Sequence, residues 1–273
     1  MLVRGIKESF KRLQNGRLRW VVALVGTIQQ SIKCLSPILI YIDEDGDWYN
    51  RRKNITFVSS ELNVNSLHLV ETQVLDFWCH GYQPQLGDTV IDIGAGIGDE
   101  ALVFSRLVGE SGRVIAIEAH PRTYRALVKT IQVNKLTNVI AINSAVSDFE
   151  GVIYISSEDN LLSNSTQSGK RTIPVKARIL ENIINSTNSM RVDLIKINIE
   201  GAETSALIGM RQILETTPHI VVSCHDFKAN RGEGEAFRTY HDVYKLLANS
   251  NYKLSNRPED PRPEVPYYIY AKK

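Results

Sequence analysis

The sequence predicts an α/β fold, a doubly wound parallel sheet preceded by a helical and hairpin extension. Two observations carry this. From Thr89 onward, short apolar runs alternate with segments of helical period, and strands alternating with helices build parallel sheets through crossover units. The first run, Val90 to Ile93, then enters Gly94-Ala95-Gly96-Ile97-Gly98, whose three glycines remove the Cβ atoms that would bar a ligand from the backbone. With 273 residues, 43% of them hydrophobic, the chain can bury a substantial core.

Residues 1–80 read as the extension and residues 81–273 as the main domain. Within residues 1–19, Arg4, Lys7, Lys11, Arg12, Arg17 and Arg19 stand against Glu8 alone, a local +5 in a chain of net +2. An apolar stretch follows, Trp20 to Ile28 and Ile32 to Ile42, the second part interrupted by Lys33, Ser36 and Pro37. A basic start before an apolar run resembles a secretory leader, but no small-residue cleavage site follows. The run is also shorter than the ~20 residues a spanning helix needs. The expectation is a helix packed on the main domain, in a cytoplasmic protein; peripheral membrane attachment through a basic amphipathic helix is the alternative.

Residues 43–65 read as a β-hairpin with charged, solvated ends. Asp43-Glu44-Asp45-Gly46 lacks the alternating ligands and terminal Glu of a calcium loop. Residues 66–80 read as a helix leading to Pro84 and the Gly87-Asp88 turn, and Glu71 falls within it.

In the main domain the strand candidates are 89–93, 113–117, 138–142, 192–198, 219–224, 251–255 and 266–271. The helix candidates are 99–108, 121–134, 203–215 and 237–249. Asp99 and Glu100 suit the positive end of the first helix, and Pro121 is a favoured first helical residue for the second. Residues 151–177 break the alternation as a hairpin around a polar loop, 156–171, that is either a linker or a substrate lid.

The glycine turn narrows the ligand. A dinucleotide site wants Gly-x-Gly-x-x-Gly, so that a pyrophosphate sits on the helix N-terminus; here the third position is Asp99, whose carboxylate repels a pyrophosphate. S-adenosylmethionine, which has no phosphate and carries a sulfonium cation, fits better. The bland alternative is a tight turn between packed elements. Glu118 strengthens the functional reading, because it lies 20 residues beyond Gly98 at a strand end, where an acid can accept hydrogen bonds from both ribose hydroxyls.

Composition excludes other classes. A net charge of +2 without an aromatic-studded basic stripe argues against a nucleic-acid binder. Cys34, Cys79 and Cys224 show no Cys-x-x-Cys spacing and read as reduced intracellular thiols.

Asp92 to Gly98, Ile117-Glu118-Ala119-His120-Pro121, Ala145-Val146-Ser147-Asp148 and Asp193 to Glu203 together resemble the FkbM-type methyltransferase family, over about Glu71 to Asp226. The resemblance implies a Rossmann-like class I S-adenosylmethionine-dependent enzyme, with a mostly parallel seven-stranded sheet and a reversed final hairpin. It implies O-methylation of a sugar or other small hydroxylated metabolite, and cofactor contacts at Glu71, Asp92, Gly94, Gly96, Gly98, Glu118, Ala119, Ala145 and Val146. Two positions depart from the family pattern: Ala95 where Asn is usual, and Asn198 where Asp is usual.

Methyl transfer to a hydroxyl needs alignment and a proton acceptor near the acceptor oxygen. His225, Glu200 and Asn198 are the catalytic candidates, with His225 the preferred base and a structural histidine its alternative. Glu203 reads as a helix N-terminal charge. No metal is expected; Mg²⁺ held by Asn198, Glu200 and Asp226 is the weaker option. Lys196, inside an apolar strand, reads as snorkelling or paired with an acid. The rival to an enzyme is a binding or scaffold protein that keeps the cofactor site, for which Asn198 is the support.

Overall fold

The computed structural model describes residue 16 and residues 18–156, 172–187 and 191–273. The extension consists of helix α1 (Arg19–Cys34), strands β1 (Ile38–Ile42), β2 (Trp48–Arg52) and β3 (Ile55–Ser59), and helix α2 (Leu67–Gln73), which continues into a π-helical turn, Val74–Trp78. Of the basic residues within 1–19, all but Arg19 lie outside the described residues.

The main domain follows as β4 (Thr89–Ile93), α3 (Asp99–Val108), β5 (Arg113–Glu118), α4 (Pro121–Val133) and β6 (Val139–Asn143). Next come β7 (Ala145–Val146), β8 (Gly151–Ser156), β9 (Thr172–Arg178), α5 (Leu180–Asn185) and β10 (Leu194–Ile197). The chain closes with α6 (Glu203–Ile208), α7 (Arg211–Thr216), β11 (His219–Ser223), α8 (Asp226–Asn230), α9 (Tyr240–Asn249), β12 (Lys253–Ser255) and β13 (Tyr268–Lys272).

Seven strands form the main sheet in the order β12-β13-β11-β10-β4-β5-β6. The five from β11 to β6 pair in parallel, whereas β13 runs antiparallel to both neighbours. The apolar runs are continuous because both faces are covered. Ile91, Ile93, Ile115, Ile117, Ile195 and Ile197 pack in one layer, and Val90, Val114, Ala116, Leu194 and Val221 in the other. Chain order reverses between β4 and β10, so a crevice opens at the carboxyl ends of those strands.

Several boundaries differ from the sequence expectation for physical reasons. The helix expected over 203–215 is two, because the chain turns at Gly209, where an added Cβ would lie 1.9 Å from the Ser147 carbonyl oxygen. That contact, with Ser205 Oγ donating to Asp148 Oδ1 at 2.6 Å, locks Ala145-Val146-Ser147-Asp148 onto α6. The helix expected from 237 begins at Tyr240. The hairpin of β8 and β9 is joined by β7 in a three-stranded sheet; its loop, expected over 156–171, lies outside the described residues from 157 onward.

The extension departs most. The apolar segment 38–42 is a strand, and β1, β2 and β3 form an antiparallel sheet. Its Asp43–Asp47 turn is docked while Glu44 and Asp45 stay exposed: Lys129 Nζ reaches Asp43, Asp45 and Asp47 at 2.6–2.7 Å, and Arg125 grips Asp47 through two donors. The edge of β3 is satisfied by α4 side chains, with Asn134 bonding both backbone groups of Thr56 and Thr130 meeting Val58 N–H. Phe57, Val70, Val74 and Trp78 share a core with Val90, Leu102 and Phe104, so apolar packing runs unbroken across residues 80 and 81. No helix among the described residues is long and apolar enough to cross a membrane.

Candidate active site

The glycine turn leaves β4 with Gly94 and Ala95 N–H both donating to Ile117 O, at 2.9 and 3.0 Å. Gly94, Gly96 and Gly98 all have positive φ, +79°, +56° and +85°, yet they are not all glycine for the same reason. A Cβ on Gly94 would lie 2.0 Å from the Asn198 carbonyl oxygen, and one on Gly98 would lie 2.6 Å from Leu127 Cδ1. A Cβ on Gly96 would meet nothing within 4 Å. Gly94 and Gly98 are packing glycines, and Gly96 keeps space open.

Beneath the turn lies a buried ionic cluster. Lys196 and Asp92 occupy paired positions on β10 and β4. Lys196 Nζ contacts Asp92 Oδ1 at 2.7 Å, Glu100 Oε2 at 2.7 Å and Gly94 O at 2.9 Å, with the Trp78 ring 4.9 Å away. Despite full burial, the two carboxylates hold the ammonium above its ordinary range. Trp78 Nε1 donates to Glu100 Oε1 at 2.8 Å.

A cleft of about 510 Å³ opens above the turn. Gly94, Gly96, Glu118, Ala119, Ala145, Val146, Asn198 and Glu200 line it. Glu118 Oε2 accepts the Gly96 N–H at 3.0 Å and Oε1 the His120 N–H at 2.8 Å. Burial nevertheless pushes its pKa up to about 7, and burial together with the Glu100 charge pushes Asp99 up to about 7. Asp99, Glu100 and Glu61 also line the cleft, whereas no Lys or Arg stands among the described lining residues.

Glu200 and Asn198 follow β10. Glu200 holds a left-handed backbone, φ +51°, ahead of Gly201 at +102°, a conformation that costs a non-glycine residue energy and concentrates at functional sites. Its Oε2 is bound by Lys228 Nζ at 2.7 Å.

Five sequence-predicted residues fall outside the lining. Glu71 pairs with Arg106 at 3.0 Å on α3, because α2 packs along that helix. Asp92 sits under the turn with Lys196, and Gly98 packs against α4. His225, only 5% exposed, has Nδ1 2.8 Å from Glu203 Oε1. Glu203 is the first residue of α6, the expected helix N-terminal position, and is fully buried; it also accepts from Gly201 N–H and Thr239 Oγ1. Asp226 Oδ2 accepts the N–H groups of Thr239 and Tyr240, and unlike Asn198 and Glu200 it does not line the cleft. His225 therefore lies outside the cleft lining with its Nδ1 engaged by Glu203.

Other lining residues were not singled out from sequence. The segment Ser59–Asn65 forms one wall and carries no motif. His120 also lines the cleft: its Nδ1 caps α4 by accepting the Arg122 N–H at 3.2 Å. That places the proton on Nε2, which is buried without a partner among the described residues. The His-Pro pair was a readable cap signal; its buried free donor was not.

The sheet order, the glycine turn and Glu118 at the next strand end define a class I S-adenosylmethionine-dependent methyltransferase fold. A family model described as the methyltransferase FkbM domain matches residues 92–254, and the chain belongs to that family of S-adenosylmethionine-dependent methyltransferases. It is 26% identical over 165 residues to a protein-L-isoaspartate O-methyltransferase of Methanococcus aeolicus, covering 56% of this chain and 76% of that protein. It is 30% identical over 87 residues to a 23S rRNA (uracil(1939)-C(5))-methyltransferase of Acinetobacter baylyi, covering 32% of this chain and 19% of that protein. Among solved structures, a methyltransferase FkbM from Methylobacillus flagellatus aligns with TM-score 0.48 and 19% identity, over 68% of this chain and 43% of that one. The chain therefore spans less than half of the Methylobacillus protein and about a fifth of the rRNA enzyme.

Proposed function

We propose that this protein transfers the methyl group of S-adenosylmethionine to a hydroxyl of a sugar or another small hydroxylated acceptor. The observation that carries this reading is the composition of the cleft: carboxylates beside an open Gly96, and a wall with neutral hydrogen-bonding side chains, Ser60, Asn63 and Asn65. The cofactor fits the residues present. Glu118 retains a further lone pair on each oxygen for the ribose hydroxyls, the unpartnered His120 Nε2–H offers a donor, and Ala145 and Val146 supply apolar surface. An excess of carboxylates suits a cation and opposes a pyrophosphate.

The bound cofactor supplies an electrophilic methyl group. Glu200 is the proton acceptor for the hydroxyl, oriented by Lys228 at 2.7 Å, and Asn198 hydrogen-bonds the acceptor. Without a carboxylate at Asn198, that residue offers no negative charge to a metal, and metal-independent transfer is expected. Glu200→Gln preserves the shape and removes the base. It is expected to lower kcat about 10²-fold or more while changing cofactor Kd by less than about twofold. An unchanged kcat would remove Glu200 from this role. The reading itself is tested with methyl-labelled S-adenosylmethionine and a panel of hydroxylated acceptors. Cofactor binding without transfer to any of them would favour the scaffold reading.

The acidic lining also fixes a pH dependence. Glu118 and Asp99 have folded-state pKa values above their ordinary 4.5 and 3.8. The stability they give the ligand-free fold is fully present below those ordinary values and is lost as pH rises through about 7. A cationic ligand favours their ionised forms, so its binding strengthens over the same interval. The Kd of S-adenosylmethionine should fall about tenfold or more between about pH 5.5 and 7.5. S-adenosylhomocysteine, lacking the sulfonium charge, should show a shallower slope in the same calorimetric titration, and equal slopes would refute the electrostatic account.

A further inference from the structure

Helix α1 is amphipathic in the reverse of the expected sense. Thr27 and Ser31 face the small sheet, each exchanging hydrogen bonds with the backbone of β1 at Ile40 and Ile38. Ala23 is buried on the same side, and Gly26 lets Ile40 approach. Val22 packs with the small-sheet core, but most of the large apolar residues point the other way: Trp20 is 62% exposed, Ile28 53% and Ile32 69%, with Leu24 and Val25 likewise exposed and Leu35, just past the helix end, at 93%. At 100° per residue Trp20, Leu24, Val25, Ile28 and Ile32 fall in one continuous arc of the helix surface. The expectation that the apolar segment packs on the main domain thus fails at α1, because its polar hydroxyls saturate the open edge of β1.

Charge is arranged around this arc. Arg19 opens the helix and Lys33 lies in its last turn. Arg52 reaches the helix end, with Nη1 3.3 Å from Cys34 Sγ, and Arg51 and Lys53 flank it in sequence. In the sequence ahead of the helix, outside the described residues, stand Arg4, Lys7, Lys11, Arg12 and Arg17. The carboxylates of Asp43, Asp45 and Asp47 near Arg19 are already bound by Lys129 and Arg125. A second copy of this chain would bring the same positive charge to the contact and be repelled.

We infer that the exposed face of α1 docks on an anionic lipid surface, lying in the interface with Trp20, Leu24, Ile28 and Ile32 immersed and the basic residues on the headgroups. At 16 residues the helix is about 24 Å long, a length suited to lying in the interfacial plane rather than crossing it.

The test is flotation of the full chain with vesicles of phosphatidylcholine, with and without about 30% phosphatidylglycerol. The expected result is salt-sensitive flotation only with the anionic vesicles. Leu24→Gln/Ile28→Gln should reduce the bound fraction about tenfold or more, whereas Leu86→Gln, at a still more exposed position outside α1, should not. Tryptophan emission gives a second readout: Trp48 and Trp78 are 2% exposed, so a vesicle-induced blue shift must come from Trp20 and vanish in Trp20→Phe. Absence of flotation by the unaltered chain overturns the inference. So does a concentration-dependent dimer that Leu24→Gln/Ile28→Gln abolishes in the absence of vesicle binding, which would assign the face to a second copy.

Discussion

Lys196→Met is expected to destabilise the fold by about 3–5 kcal/mol, because it leaves Asp92 uncompensated in a fully buried site. The lysine side chain and Asp92 are both fully buried, and the same ammonium also holds Glu100 and the Gly94 carbonyl. Methionine restores much of the volume, so the loss measures charge rather than a cavity. The pH dependence has a definite sign. Burial already pushes Asp92 up to about 6 despite the adjacent lysine, and removing the cation pushes it higher. The variant's penalty should therefore be smallest where Asp92 is protonated, below about pH 5, and grow as pH rises. Thermal unfolding should show a drop of about 10 °C at neutral pH. Asp92→Asn in the Lys196→Met background should recover part of that loss, because the amide carries no charge to strand. A single variant that melts with the native protein would show that the cluster contributes no net stability.

That cluster also marks how far the sequence could be read. Asp92 and Lys196 each interrupt an apolar strand, and charged residues at such positions are buried only when paired. The pairing with an acid was therefore legible, while its partner was not, because register between β4 and β10 joins residues 104 apart. The same limit explains His225 and Glu203. Both sit at expected strand and helix ends, but the bond between them, which engages His225 Nδ1, depends on how α6 meets the end of β11. The glycine turn, Glu118 and the alternation of strands and helices were readable because their signals are local. The wall at Ser59–Asn65 was not, since it owes its place to β3 docking on α4 through Asn134 and Thr130, contacts made by residues of ordinary polarity. For α1 the hydrophobic pattern was clear and its direction was not. Periodicity identifies a face; the unsatisfied edge of β1 decided which face turned inward.

Gly94→Ala and Gly96→Ala should separate the two roles hidden in one motif. Both residues have left-handed backbones, so either alanine costs about 1–2 kcal/mol in conformational energy. At Gly94 the new methyl group would also lie 2.0 Å from the Asn198 carbonyl oxygen and 2.9 Å from its carbon. Those are backbone atoms, and Asn198 N–H is itself bonded to Ile93 O at 3.0 Å, so relief requires moving β10 away from β4. Overpacking of that kind adds about 1–3 kcal/mol, for a total near 3 kcal/mol or more. At Gly96 the methyl group enters open space in the cleft. The fold should keep its stability to within the conformational cost, while S-adenosylmethionine affinity falls about 10- to 100-fold because the ligand must share that space. Chemical denaturation and calorimetry on the two variants distinguish these outcomes. If Gly96→Ala binds the cofactor as the native protein does, the open space above Gly96 is not where the ligand approaches the turn. If Gly94→Ala is as stable as Gly96→Ala, the close contact with Asn198 yields without strain. The expected pattern, lost stability at one glycine and lost binding at the next but one, follows from what each Cβ would meet.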